Sequence, residues 1–413
     1  MKTLKILKRC KCRLCNSEKV NAVINLPLVY VADKYGKIPF EKSVKYPIDI
    51  YQCESCGHVQ ILDILPLEHL FSSEYTYKPS RNPQLVKHFE YYASNVKKNL
   101  GYTPKKSLDI GSNDGLFLEC LRNKYSTEVL GIDPADSAVK AANEKGINTI
   151  KAFFTESLAD ELNQNGQQFD HISANNVFAH NDDLVSFTKG VSKLLKKRGL
   201  FTFEISYLID IVEKGLIGTI FHEHLSHHSL LPLIKFLESH DLNLFDVDYV
   251  DTQGGALIGY ASKGKNQNYS NNLNLFLNRE KDLHVDKGIY MTKFRNNLLN
   301  IKNQFNELLY KNLRDDSRLI AFGAARSANL LIEFFQLNNS LDFILDDNQE
   351  KIGQFLFNTN TEIISAKGFN STDNDIFIPL AWIHSKNIEN RLKNEGFKGK
   401  YLKFYPNVEI TEL

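Results

Sequence analysis

Ser107-Leu-Asp-Ile-Gly-Ser-Asn-Asp-Gly115 decides the fold. Ser107 to Ile110 reads as a short buried strand, Gly111 to Gly115 as a turn, and Leu116 to Lys124 as a helix with apolar residues at helical spacing. Glycine in such a turn lets the backbone approach a ligand closely. The helix start that follows offers N–H groups without intrahelical partners. Outward from this stretch the alternation continues. Glu128 to Ile132 is a second strand ending at Asp133, and Ser137 to Lys145 is a helix. Asn148 to Lys151 and Phe169 to Ser173 are strands three and four. A helix from Asp183 to Lys197 precedes a fifth strand, Gly199 to Glu204. Asn243 to Val250 and Ala256 to Tyr260 flank a Gly-Gly turn as a hairpin. The pattern predicts the α/β class, with a doubly wound parallel sheet closed by an antiparallel strand.

The turn also suggests a cofactor. A carboxylate such as Asp133, at the end of the second strand, can accept hydrogen bonds from both hydroxyls of a ribose. That rule alone allows NAD or S-adenosylmethionine. The spacing Gly111-x-x-x-Gly115 lacks the third glycine of the pyrophosphate fingerprint. Asp109 precedes the first glycine and suits the cationic amino end of a methionine. Both points favour S-adenosylmethionine. The expected cofactor residues are Asp109, Gly111, Asn113, Asp114, Gly115 and Asp133, with Asn175 and Asn176 beyond the fourth strand.

Two matched hooks lie upstream, Cys12-Arg-Leu-Cys15 and Cys53-Glu-Ser-Cys56. Four thiolates on two tight knuckles suit one closed, tetrahedral, structural zinc ion. Cys10 is an alternative ligand, and Cys120 reads as a core residue of the next domain. A second α/β unit follows an amphipathic helical connector from about Val285 to Arg314. Ser317 to Phe322 is its first strand, Gly323-Ala-Ala-Arg-Ser-Ala a small-residue turn, and Leu341 to Leu345 the next strand, ending at Asp346-Asp347.

Composition narrows the function classes. A chain of 413 residues implies two or three domains, and 42% hydrophobic residues are ample for packed cores. A formal net charge of +1 argues against a nucleic-acid partner. The basic N-terminal residues are not followed by an apolar stretch, which speaks against a signal peptide. No run is long enough to span a bilayer, so no membrane partner is expected. Cysteines arranged for metal fit a reducing, cytoplasmic setting.

Together these motifs resemble the sugar C-methyltransferases that act on nucleotide-linked 4-keto deoxysugars. The resemblance covers nearly the whole chain. It rests on the Cys12, Cys15, Cys53 and Cys56 hooks, Tyr75-Thr-Tyr77, the Asp109–Gly115 loop and Phe221-His-Glu-His-Leu-Ser226. Gln253-Gly-Gly-Ala256, Gly323-Ala-Ala-Arg326, Asp346-Asp347 and Lys351-Ile-Gly353 complete it. It implies a zinc-binding module over residues 1–75 and a class I methyltransferase domain binding S-adenosylmethionine over 76–262. A connector helix and a Rossmann-like α/β domain would occupy 263–413. It further implies methylation of a ring carbon beside the keto group. His224 matches the general base, with Glu223, His222, Tyr75 and Tyr77 as further catalytic candidates. A neutral imidazole suits proton abstraction near pH 7. Phe221, Gln253, Gly254 and Arg326 would contact the sugar nucleotide, Arg326 by pairing with phosphate. The family usually carries tyrosine at Phe221, histidine at Gln253, serine at Ala256 and lysine at Arg326. Two other functions compete: a sugar O-methyltransferase and a non-catalytic scaffold that binds sugar nucleotides. The sugar, the nucleotide and the oligomeric state stay open.

Overall fold

The computed structural model describes residues 5–66, 70, 79–264, 268–357 and 359–413. Tyr75 and Tyr77 therefore lie outside the described residues. Near the N-terminus, β1 (Leu7–Lys8), β2 (Val20–Ile24), β3 (Ile50–Cys53), β4 (Val59–Ile61) and β5 (Asp63–Ile64) are short and antiparallel. Cys53 ends β3, and Cys56 sits in the turn to β4.

The central sheet contains β6 (Lys106–Ile110), β7 (Glu128–Asp133), β8 (Thr149–Lys151), β9 (Phe169–Asn175) and β10 (Leu195–Ser206). These five are parallel, and the hairpin of β12 (Leu242–Val250) and β13 (Ala256–Lys263) completes the sheet in antiparallel sense. The order β12-β13-β10-β9-β6-β7-β8 reverses direction between β6 and β9. A crevice opens beyond the carboxyl ends of the strands at such a point. The fifth strand begins earlier than its sequence suggests. Leu195 leaves helical geometry at φ −78°, ψ 129° and pairs with Phe169. The helix thus ends at Leu194 rather than Lys197, and an irregularity between Leu195 and Leu200 absorbs the Lys-Lys-Arg-Gly stretch.

One strand leaves this sheet altogether. β11 (Ser226–His227) pairs with β4, with Ser226 opposite Gln60 and His227 opposite Val59. The segment that follows Phe221-His-Glu-His224 is thereby the edge strand of the N-terminal sheet, in the order β11-β4-β3-β2.

Two helices, Asn271–Asp282 and Gly288–Asn312, lead to the last sheet. The second carries Met291, Phe294, Leu298, Ile301 and Phe305 along one buried stripe. Each such side chain contributes about 1.5–3 kcal/mol of burial free energy. The last sheet has β14 (Leu319–Phe322), β15 (Phe343–Asp346), β16 (Glu362–Ser365), β17 (Ile376–Pro379), β18 (Lys400–Lys403) and β19 (Glu409–Glu412). Its order is β16-β15-β14-β17-β18-β19, parallel except for β19. This is a second doubly wound sheet, Rossmann-like in order.

Candidate active site

The two sheets present the same turn to one cavity. In the central sheet, Gly111 has φ 73° and its N–H donates to the Ile132 carbonyl at 2.7 Å. The Asp133 carboxylate accepts from the backbone N–H of Asn113 and of Ala135, both at 2.9 Å. In the last sheet, Gly323 has φ 90° and donates to Leu345 at 2.7 Å. Asp346 accepts from the N–H of Ala324 at 2.7 Å and of Asn348 at 2.8 Å. A Cβ on Gly111 would come within 2.2 Å of Val177, just past β9; one on Gly323 would come within 2.5 Å of Ala381, just past β17. Glycine is required at both by conformation and by close approach.

The cavity between them encloses about 740 Å³. Asp109, Gly111, Asn113, Asp133, Asn175 and Asn176 line the central side, and Arg326, Asn348 and Lys351 the other. Phe221, His224 and Gln253 lie between. The donor set of the central side fits S-adenosylmethionine. Asp109 is buried, accepts from the Ser173 hydroxyl at 2.7 Å and has no cationic partner among the described residues. Burial pushes its carboxyl up to about 7, with Ser173 opposing and Asp133 adding to the rise. The buried Asn175 Oδ1 lacks a hydrogen-bond partner. A carboxyl without a cation beside an amide oxygen without a donor suits an ammonium group. Each Asp133 oxygen accepts one backbone bond, which leaves lone pairs for a ribose diol. Phe153 and Phe154, beyond β8, give an apolar wall for an adenine.

The Phe221–His224 loop is sharply sorted by side chain. His224 pairs through Nδ1 with the Thr219 carbonyl at 2.5 Å. A carbonyl only accepts, so Nδ1 carries the proton and Nε2 keeps its lone pair. The ring packs on Phe221 at 3.8 Å between centroids and stacks on His180 at 5.0 Å. Burial holds the His224 imidazole down at about 4, Thr219 pulling up and Arg326 down, so it is neutral near pH 7. Glu223 is buried and paired with Arg326, whose Nε also reaches Asp33 at 2.9 Å. Burial raises the Glu223 carboxyl to about 7 against the pull of Arg326.

Several sequence expectations do not meet the cavity. His222 does not line it; its ring lies edge-on to Tyr46 of the N-terminal region. Phe221 to His224 is a turn closed by the His224 N–H on the Phe221 carbonyl at 2.9 Å, and its curvature sends His222 and His224 to different surroundings. Asp114 is held by Ser80 and by Lys145 at 3.2 Å, away from the cavity. Gly115, at φ 77°, is the residue from which the helix Leu116–Tyr125 starts. Gly254 serves the hairpin turn, and its carbonyl accepts from Lys214 Nζ at 2.6 Å. Arg326 lines the cavity as the centre of an ion-pair network, not as an isolated guanidinium. Other lining residues were not anticipated. Glu204 lies two residues before the end of β10 and accepts from Thr252 and His88 at 2.6 Å. Its place at a strand's carboxyl end was a readable signal. His180, five residues past β9, carried a weaker one, and Asp33 none.

The hooks form one cluster. The four Sγ atoms of Cys12, Cys15, Cys53 and Cys56 lie within 4.8 Å of one another, Cys12 3.6 Å from Cys56 and Cys15 3.5 Å from Cys53. Sulfurs at about 2.3 Å from a tetrahedral zinc stand about 3.8 Å apart, so the set fits the ion and closes its shell. Cys10 is exposed and outside the cluster, and Cys120 is partly buried against a central core group.

A class I methyltransferase sheet, a cofactor crevice of this donor set and a four-thiolate module define an S-adenosylmethionine-dependent methyltransferase with a zinc-binding module. Comparison with known proteins sharpens the class. Three family models match in chain order: "Putative zinc binding domain" over residues 12–71, "Methyltransferase domain" over 108–201 and "C-methyltransferase C-terminal domain" over 251–405. The C-methyltransferase NovU of Streptomyces niveus is 26% identical over 346 residues, 83% of this chain and 82% of that one. A ubiquinone biosynthesis O-methyltransferase of Azorhizobium caulinodans is 26% identical over 117 residues, 28% of this chain and 45% of that one. An S-adenosylmethionine-dependent methyltransferase structure from Clostridium acetobutylicum aligns at 17% identity and TM-score 0.36, covering 44% of this chain and 92% of that one. Over most of its length the chain is thus similar to C-methyltransferases with an N-terminal zinc-binding module. Among the described residues, no helix is long and apolar enough to cross a membrane.

Proposed function

We propose that the chain methylates a ring carbon of a nucleotide-linked 4-ketosugar, with His224 as general base. The observation that carries this reading is the bond from His224 Nδ1 to the Thr219 carbonyl, which leaves Nε2 as acceptor on the shared cavity. A hydrogen beside a ketone is weakly acidic, and its removal needs a fixed base whose lone pair is free at neutral pH. S-adenosylmethionine, when bound, supplies an electrophilic methyl group. His224 Nε2 takes the ring proton, and the imidazolium returns it to water after methyl transfer. The Glu223–Arg326–Asp33 network brings a guanidinium to the same wall, where it opposes the negative charge that develops on the keto oxygen.

The repeated crevice supports a nucleotide on the other half of the substrate. Gly323, Asp346 and the backbone N–H groups they arrange reproduce the geometry of the cofactor turn. A diphosphate there would reach Lys351 and Arg326 on the cavity wall.

The test is solvent exchange. A nucleotide-linked 4-keto-6-deoxyhexose incubated in D2O with the S-adenosylhomocysteine complex should lose the hydrogen beside its keto group, and the His224→Asn variant should not catalyse this. Methyl transfer onto oxygen without exchange would overturn the reading in favour of an O-methyltransferase.

A further inference from the structure

Arg13 stands between the two zinc-hook cysteines, Cys12 and Cys15, yet its guanidinium turns away from the thiol cluster and is fully buried. Nη1 donates to the Ile61 carbonyl at 2.5 Å and to the Leu225 carbonyl at 3.1 Å. Nε donates to Asp182 Oδ1 at 3.0 Å. The Gln60 side-chain oxygen accepts from both the Arg13 backbone N–H and Nη1 at 3.2 Å. Leu225 immediately follows His224, and Asp182 lies two residues beyond His180. These are the two loops whose imidazoles stack at 5.0 Å. One buried guanidinium thus ties the backs of both loops to the zinc knuckle.

The pattern is costly for a mere staple. Nη1 faces three acceptors, while Nη2 makes no hydrogen bond and is held only by its ion pair to Asp182 at 3.0 Å, so the buried fork is committed to these two chain segments although one of its donor groups goes unsatisfied. Exposed lysines or apolar contacts would suffice to join two domains. Leu225 O also accepts from the Ile61 N–H at 3.0 Å, so the β11–β4 ladder and Arg13 converge on the residue beside the base.

We infer that Arg13 is a positioning residue for His224: it carries the rigidity of the zinc knuckle to the imidazole pair and fixes the direction of Nε2. The inference rests on His224 being the base. It makes the zinc module part of the catalytic apparatus, although no cysteine approaches the cavity. Outer groups that orient a reacting side chain are worth about 10–100-fold in rate when removed, and a displacement of about 1 Å has effects of that size.

The experiment compares full-length, zinc-loaded wild type with Arg13→Gln, Arg13→Lys and His224→Asn, each saturated with S-adenosylhomocysteine. Histidine-labelled protein is read by long-range 1H–15N correlation, the His224 signals assigned by their loss in His224→Asn. Expected for Arg13→Gln are one zinc per chain, S-adenosylhomocysteine affinity within about threefold of wild type, and a His224 ring that no longer shows the single Nδ1–H tautomer. kcat on a nucleotide-linked 4-keto-6-deoxyhexose should fall about 10–100-fold with little change in KM, and Arg13→Lys should fall between. An unchanged His224 ring in a folded Arg13 variant overturns the inference. So does loss of zinc or of cofactor affinity in step with activity in both variants, which would mark Arg13 as structural only. Full turnover by His224→Asn would instead remove the base assignment, while the ring spectra would still decide whether Arg13 orients His224.

Discussion

The crevice at Gly111 and the crevice at Gly323 share a backbone design and differ in their side chains. Both use a left-handed glycine, a carboxylate that accepts two backbone N–H groups, and a neighbouring strand that presses a side chain against the glycine. The first adds a second carboxylate, Asp109, two residues before the turn glycine. The second has Phe322 and Ala321 there, and its cations, Arg326 and Lys351, lie beyond the turn. One crevice holds a carboxyl with no cation beside it among the described residues, and the other holds two cations that share Asp33. Two crevices of one backbone design thus border a single cavity with different charged groups.

The sharpest test removes what neither crevice can supply. His224→Ala should lower turnover by about 10²–10⁴-fold, the usual worth of a general base, while calorimetry with S-adenosylhomocysteine finds near-normal affinity. Retained turnover would place the base elsewhere, and Glu204 with His88 would be the next pair to test.

Loss of the metal should be felt next. Cys53→Ser breaks the closed shell, and the protein should lose its zinc by metal analysis and about 3 kcal/mol or more of stability in denaturant titrations. Because β11 belongs to the N-terminal sheet, turnover should fall with it. A Cys53→Ser protein with full zinc would refute the ligand set.

The comparison itself is tested by exchanging the equivalent carboxylates. Asp133→Ala should weaken S-adenosylhomocysteine binding by about 1–3 kcal/mol, the cost of leaving buried donors unpaired, and leave thymidine or uridine diphosphate binding unchanged. Asp346→Ala should do the reverse. If either variant weakened both ligands equally, the crevices would not be separate sites.

The smallest effect is a pH dependence of one crevice only. Asp109 titrates at about 7 in the free protein because burial disfavours its charge. An ammonium ligand favours the ionised form, so binding must release a proton below that value. S-adenosylhomocysteine affinity should therefore rise with pH, by about tenfold from pH 6 to pH 8. Asp109→Asn should flatten the profile at lower affinity, and diphosphate binding should not follow it.

Local patterns made much of this legible in the sequence. Strand, turn and helix around Gly111 lie within about twenty residues, and Asp133 follows at the next strand end, so short-range rules sufficed. The second crevice was visible for the same reason as a strand, a small-residue turn and a strand ending at Asp346. The arrangement of Phe221-His-Glu-His224 was not legible. Whether His222 or His224 faces the cavity depends on β4, which lies far away in the chain and captures the residues just after the loop. Asp33 was hidden because nothing nearby in sequence announces a partner for Arg326, and the helix Asn271–Asp282 because its polar composition blurs the apolar stripe.

The β11–β4 pairing also sets a schedule for the newly made chain. His58 and Ser226, joined at 3.1 Å, are separated by 168 positions. At a synthesis rate of about 5–20 residues per second, roughly 8–35 s pass between the emergence of β4 and that of its partner strand. During that interval the metal knuckle can close, but the edge of β4 stays open to any other extended strand. The zinc module cut out alone would keep that edge permanently, so its solubility as an isolated fragment should depend on a peptide spanning residues 225–229 supplied in trans.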